Sequence, residues 1–114
     1  MATTDSQVIP YREERTTEDP VNVDPKHYSV VFENDRVRVL RIAYGAKEKS
    51  VIHGHPDGVS VMITDAQIRM HLPDGSTEDM DVKAGDAQWA PGGDHVPENL
   101  GSTPIEVVLV ELKA

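Results

Sequence analysis

The sequence contains no cysteine among its 114 residues. This absence excludes disulfide bonds, thiolate nucleophiles, zinc sites built on cysteine and iron–sulfur clusters that cysteine ligates. Any metal site in the chain must therefore use histidine or oxygen ligands. The length suits one domain with a modest hydrophobic core and is too short for two.

Basic residues and long apolar runs are also scarce. Lysine and arginine number 11 against 20 aspartates and glutamates, which gives a formal net charge of −9. A domain this acidic is repelled by phosphate backbones and anionic lipids, which argues against nucleic acid and membrane partners. No apolar run could span a membrane, and the residues from Met1 onward lack the basic start and apolar run of a secretory signal. The expected location is the cytoplasm.

A sustained helical period is missing as well. Turn signals instead separate many short runs in which polar and apolar residues alternate, a pattern typical of an all-β sandwich or barrel. The alternation and turn signals predict strands at residues 28–32, 36–44, 51–55, 59–64, 67–72, 77–82, 87–90 and 105–112. Within them, Arg38 and Tyr44 are expected to face solvent, and His27 and His71 are expected to be exposed or structural.

The N-terminal residues differ in composition from the rest. Residues 1–24 are rich in Thr, Asp, Glu, Arg and Pro and contain few apolar side chains, so they cannot bury enough surface to order themselves alone. We expect residues 1–24 to form a flexible or arm-like extension and residues 25–114 to form the barrel domain. The Val8-Ile9 pair is a candidate contact with a neighbouring subunit.

Two histidines mark the most informative stretch. His53 and His55 are separated by one residue, so in a strand both side chains point to the same face. Together they can approach one cation, but they need a further ligand from elsewhere in the chain. His95 is the candidate that the downstream segment offers.

This first stretch resembles the first motif of the cupin superfamily. That motif has a Gly, a His-x-His, a Glu a few residues later and a final Gly. Here Gly45 precedes His53 and His55 by two residues more than usual. The motif Glu falls near position 59 or 60, and Val59 takes the place if Ala66 replaces the final Gly. Neither position 59 nor position 60 carries a carboxylate.

The downstream segment is similar to the second cupin motif. That motif runs Gly, Pro-x-Gly, His and Asn, and Gly85, Pro91, Gly93, His95 and Asn99 match it, with one residue fewer before the histidine. The resemblance covers about residues 27–114. It implies a jelly-roll barrel, the double-stranded β-helix, with three histidines directed into the barrel mouth.

The resemblance also implies a metal site. His53, His55 and His95 would ligate a divalent transition metal, which could be Fe, Zn, Ni, Mn or Cu. Three protein ligands leave a coordination position for water or substrate, as in catalytic sites. The alternative is an empty barrel whose histidines are only hydrogen-bonded.

Five further residues are candidates for the surroundings of the site. Asp57, Val59, Gln88 and Trp89 are candidates for the substrate pocket. Asp57 suits a turn first and a fourth ligand or general base second, Trp89 suits the core before a pocket wall, and Val59 suits the core as well. Asn99 matches the motif asparagine, whose usual role is structural support behind the ligands.

The function that these features favour is a metal-dependent small-molecule enzyme, similar to three-histidine dioxygenases. Two alternatives remain open: a non-catalytic cupin that binds a small anionic or sugar-like ligand, and a zinc or nickel isomerase or cyclase. The expected partner is a small-molecule substrate or ligand. The likeness to other small cupins also implies a homodimer.

Overall fold

Nine β-strands and one short helix make up residues 18–113, the part of the chain that the computed structural model describes. In chain order these are α1 (Pro20–Val23), β1 (Tyr28–Glu33), β2 (Val37–Tyr44), β3 (His53–His55), β4 (Gly58–Met62), β5 (Ala66–His71), β6 (Thr77–Val82), β7 (Ala87–Ala90), β8 (Gly93–Asn99) and β9 (Ile105–Leu112). The all-β prediction is confirmed. Within these residues, no helix is long and apolar enough to cross a membrane.

The strands form two antiparallel sheets. One has the order β1-β2-β9-β4-β7 and the other the order β3-β8-β5-β6. Both sheets supply the buried core, with Leu40 and Leu109 from the first and Ile68 and Val82 from the second. This is the double-sheet barrel that the motifs imply.

Strand β9 shows how alternation positions side chains in this barrel. Ile105, Val107 and Leu109 are buried, while the residues between them are partly exposed. The strand pairs with β2 on one side and β4 on the other, so it lies at the centre of its sheet. An alternating apolar strand at that position supplies much of the core.

The row of inward-facing side chains on β9 includes a carboxylate, that of Glu111. Glu111 is only 2% exposed, and its Oε1 accepts a hydrogen bond of 2.9 Å from Nε of Arg38. The remaining guanidinium nitrogens of Arg38 donate to Asp19 at 2.7 and 3.0 Å. A buried carboxylate needs a paired cation, so Arg38 faces inward and the expectation that it faces solvent is wrong.

Strand β8 is the element that the sequence did not predict. It contains Pro97 and several polar residues, a composition that argues against a strand. Strand β3 pairs only with residues 93–95 of β8, and Pro97 lies beyond that pairing. The missing N–H of Pro97 therefore leaves no hydrogen bond to β3 unmade.

The N-terminal segment packs against the barrel as far back as it is described. Asp19 caps α1 by accepting a hydrogen bond from the backbone N–H of Val21, and Pro20 is completely buried. The backbone N–H of Gly54 in β3 donates to the carbonyl oxygen of Glu18. Residues 1–17, including the Val8-Ile9 pair, lie outside the described residues, so the expected extension is described only at residues 18–24.

A substitution at Gly58 tests the close approach of β4 and β9. A Cβ at this position would overlap the carbonyl oxygen of Val110. We expect Gly58→Ala to lower the free energy of unfolding by about 1–3 kcal/mol, because the two strands must separate. Urea denaturation measures the change. Gly101→Ala is the matched control, since its Cβ would meet only Asn99 Oδ1 at 3.4 Å. Equal losses in the two variants would contradict the overlap.

Candidate functional site

The pairing of β3 with β8 brings the three predicted histidines together. His53 lies directly opposite His95 in the ladder, and His55 lies opposite Gly93. Residues directly opposite one another in a ladder project to the same face. His53 is fully buried and His55 is nearly so, so this face points into the barrel.

The ring nitrogens of the three histidines converge. Nε2 of His95 lies 3.1 Å from Nε2 of His53 and 3.2 Å from Nε2 of His55. Nδ1 of His53 is 3.0 Å from the carbonyl oxygen of Val51, and Nδ1 of His55 is 2.9 Å from that of Pro56. A carbonyl oxygen only accepts, so Nδ1 carries the proton in both rings. The Nε2 lone pairs of His53 and His55 therefore face the shared space.

Burial keeps His53 and His95 neutral. Desolvation lowers the pKa of His53 from 6.5 to about 4, against the hydrogen bond to the Val51 carbonyl, which raises it, and with a smaller lowering from His55. Desolvation together with His55 and His53 lowers the pKa of His95 to about 2. Neutral imidazole is the form that binds a metal. These two rings are therefore in the binding-competent protonation state at neutral pH.

The spacing of these nitrogens suits a metal site, although the rings contact one another as they stand. Nitrogens bound to one metal at about 2.0–2.1 Å are separated by about 2.9–3.4 Å. Both measured separations fall in this range. Among residues 18–113, no group of three or more His, Asp or Glu side chains has the geometry to hold a metal ion. The convergence and protonation of the rings, not a preformed cage, make them candidate ligands.

Two tyrosines that the sequence analysis did not select extend this cluster. The hydroxyl oxygen of Tyr28 lies 3.1 Å from Nε2 of His53 and 2.7 Å from the hydroxyl oxygen of Tyr44. Burial raises the pKa of both phenols well above 10, so both are neutral. Tyr44 is buried, which corrects the expectation that it faces solvent. Buried tyrosines need hydroxyl partners, but the sequence does not indicate which partners they have.

His27 supports the second tyrosine from behind. Its ring stacks on Tyr44 with centroids 4.2 Å apart and planes 3° from parallel. Nδ1 of His27 lies 2.7 Å from Asp24 and Nε2 lies 2.9 Å from Glu48. Hydrogen bonds from Lys26, the backbone of Gly45 and His27 lower the pKa of Glu48 to about 2. His27 is therefore structural and buried.

A cavity of about 300 Å³ opens beside the histidine cluster. His55 and His95 line it, as do the predicted pocket residues Gln88 and Trp89. Its other walls come from β4, β5, β6 and β9 and are mostly apolar. Trp89 is 57% exposed, so it belongs to the mouth of the cavity and not to the core.

The other two predicted pocket residues do not line this cavity. Ser60 and Met62 line it from β4, so the alternation of the strand turns Val59 away. Asp57 instead accepts a hydrogen bond from the backbone N–H of Gly92, which fixes the corner between β7 and β8. The structure thus corrects the pocket assignment of Val59 and Asp57.

Asn99 has a supporting position. It is 1% exposed, and its side-chain nitrogen donates to the carbonyl oxygens of Gly45 and Thr103. Its side-chain oxygen accepts from the backbone N–H of Gly101. Asn99 therefore ties two loops together at the cavity wall, and its hydrogen bonds go to backbone groups.

His71 lies outside the cluster. Its Nε2 is 2.8 Å from Oε1 of Glu98, and both side chains are partly exposed. His71 does not line the cavity, whereas its neighbours Met70 and Leu72 do. It therefore serves as a control position for the buried histidines.

Solved structures similar to the chain share its fold. A cupin domain from Bordetella pertussis is 26% identical, with a TM-score of 0.71 over 76% of this chain and 92% of that one. A conserved protein with a double-stranded β-helix domain from Klebsiella pneumoniae is 27% identical, with a TM-score of 0.59 over 75% and 70% of the two chains. A polyketide cyclase from Streptomyces resistomycificus is 15% identical, with a TM-score of 0.60 over 90% and 77%, a likeness of fold alone. No family model and no curated protein matches the chain.

The buried histidines predict acid sensitivity of the chelator-treated protein. The unfolded chain takes up protons near pH 6.5, whereas the folded pKa of His53 is about 4. The stability that the neutral rings contribute is therefore complete above about pH 6.5 and is lost as the pH falls toward 4. Urea denaturation across this range measures the loss. His95→Gln should show a shallower dependence, and equal slopes for the two proteins would contradict the assignment.

Proposed function

Since the chain is a member of the cupin superfamily with the double-stranded β-helix fold, we propose that it is a metal-dependent enzyme acting on a small organic molecule. His53, His55 and His95 would ligate a divalent transition metal. One observation carries this proposal: three imidazoles converge, with Nε2 of His95 lying 3.1 Å from Nε2 of His53 and 3.2 Å from Nε2 of His55. Two backbone carbonyls fix the tautomer that leaves lone pairs facing the shared space.

The reaction class that we favour is oxygenation, as in three-histidine dioxygenases. A metal bound here, among Fe, Zn, Ni, Mn and Cu, supplies Lewis acidity, and iron adds redox chemistry with dioxygen. All three candidate ligands are imidazoles, which carry no negative charge when they bind a metal. The histidines would therefore leave the charge of the metal unneutralised toward substrate, and the apolar cavity walls would exclude bulk water.

Tyr28 would act beside the ligands. Its phenol is neutral, lines the cavity and lies 3.1 Å from Nε2 of His53. Tyr44 holds the Tyr28 hydroxyl from the other side at 2.7 Å. In the structure the Tyr28 proton is donated to the Nε2 lone pair of His53. A metal bound to that nitrogen would leave the hydroxyl proton free to orient a substrate oxygen. The sequence offered no sign of this role.

A second candidate function is a non-catalytic ligand-binding cupin. It is favoured by a cavity of about 300 Å³ with mostly apolar walls and by histidine rings whose Nε2 atoms lie within hydrogen-bond distance of His95. Isomerase or cyclase chemistry with zinc or nickel is the remaining alternative. The metal content of the purified protein separates these candidates: iron favours oxygenation, zinc or nickel favours Lewis-acid chemistry, and no metal favours the binding module.

A homodimer is part of the proposal. Strand β1 lies at the edge of the five-stranded sheet, and Val30, Val31 and Phe32 are exposed on it. Three adjacent exposed apolar side chains on an edge strand suit a contact between two copies of the chain.

Metal content after single substitutions tests the ligand assignment. We expect His53→Ala, His55→Ala and His95→Ala each to lower the metal affinity by at least about tenfold, because each removes one of three ligands. Elemental analysis of tag-free protein measures metal content, and His71→Ala is the matched control. Full metal content in the double variant His53→Ala/His95→Ala would refute the site.

A restored carboxylate tests the orientation of β4. The cupin pattern has a glutamate near position 59 or 60, and Ser60, not Val59, lines the cavity. We expect Ser60→Glu to tighten metal binding by about tenfold or more, because the new charge would face the cluster. Val59→Glu, the change that the sequence alone favours, should leave affinity unchanged. Competition with a chromogenic chelator measures both, and the reverse order would show that β4 faces the other way.

A further inference from the structure

We infer that the cavity accepts a largely apolar molecule that is uncharged or cationic, and that it discriminates against small carboxylates and phosphates. The inference deepens the proposed function, because it takes the cavity beside the histidines as the substrate site. Its basis is the charge and chemistry of the walls, and it replaces the anionic or sugar-like ligand that the sequence suggested.

The charged residues that line the cavity are all acidic. Glu78, Asp94 and Glu98 contribute to its walls, and no lysine or arginine does so among the described residues. The carboxylate of Glu98 is paired at 2.8 Å with His71, which does not line the cavity, so its charge is turned away from the cavity. In the metal-free protein an anionic ligand would find no lysine or arginine among the described residues of the wall, which is unfavourable in a partly desolvated site.

The interior is built from flexible apolar side chains. Met62, Met70 and Met80, three of the four methionines of the chain, all line the cavity. Methionine adapts its shape to a ligand and makes favourable contacts with aromatic rings through sulfur. A sugar would bury several hydroxyl groups against these methionine side chains, which offer only weak acceptors, and this is costly.

One group of polar side chains meets at the histidine cluster. Tyr28, His55 and His95 line the cavity. Tyr28 and His95 each contact His53 at 3.1 Å, and His55 contacts His95 at 3.2 Å. A ligand matched to this distribution has one polar end and an apolar body. A cavity of about 150 Å³ is enough to bind benzene, so about 300 Å³ suits a single substituted ring.

Three probes that share one ring test this inference: benzyl alcohol, benzylamine and benzoate. The full chain is titrated as purified and after chelation, and calorimetry is combined with the fluorescence of Trp89, the one tryptophan in the sequence, which lines the cavity. In the chelated protein we expect benzyl alcohol and benzylamine to bind at least about tenfold more tightly than benzoate. Equal or tighter binding of benzoate overturns the inference, and so does the absence of binding by all three probes.

A charge-reversal pair locates the discrimination. We expect Glu78→Lys to reduce the preference for benzyl alcohol over benzoate by about threefold or more, because a cation would then face the ligand. Asp35→Lys is the control, since Asp35 is exposed in the turn between β1 and β2 and does not line the cavity. An equal change in both variants would show that net charge, not the cavity wall, sets the preference.

These outcomes are separable from the metal proposal. The chelated protein reports on the cavity walls alone. Tight benzoate binding to it overturns the inferred class of small molecule and leaves the assignment of the histidines as metal ligands intact. Loss of the metal assignment with retained discrimination would leave an apolar-ligand binding module. Benzoate binding that appears only in the metal-containing protein would support the metal assignment and overturn the ligand class for the metal-containing site, because the cation would then supply the missing positive charge.

Discussion

The pairing of three residues of β3 with the start of β8 is the constraint on which the rest of the barrel depends. It places His53 opposite His95 and buries the ring of His53 completely. Buried imidazoles are tolerated only when they are neutral and hydrogen-bonded. The carbonyl of Val51, the hydroxyl of Tyr28 and the neighbouring rings meet that requirement. The same hydrogen bonds leave the Nε2 lone pairs of His53 and His55 directed at the space between the rings.

Much of the fold and the histidine cluster could be predicted from the sequence, because alternation and motif spacing are local signals. The predicted strands are present, and His53, His55 and His95 meet. Strand β8 was missed because Pro97 contradicts strand propensity and is tolerated only by the shortness of β3. Val59 was assigned to the pocket because motif spacing does not determine the phase of a strand, which the ladder alone fixes.

The inward-facing polar residues form the other group that sequence patterns could not assign. Arg38 and Tyr44 occupy positions that read as solvent-facing, yet one neutralises Glu111 and the other holds Tyr28. Whether a polar side chain turns inward depends on a partner from a distant part of the chain, here 73 residues away for Arg38 and Glu111. The second carboxylate oxygen of Glu111 has no hydrogen-bond partner among the described residues, so this ion pair is a specific and only partly satisfied contact.

The hydrogen bond from Gly54 to Glu18 has a consequence for the open side of the smaller sheet. Strand β3 is the edge of that sheet, and an uncovered edge is a template for pairing with foreign strands. The backbone of residue 18 occupies this edge at its middle residue, and the contact of Asp19 with Arg38 anchors the segment there. The segment before β1 thus shields strand β3, which carries His53 and His55, from intermolecular pairing. A chain that began at residue 25 would lose that protection.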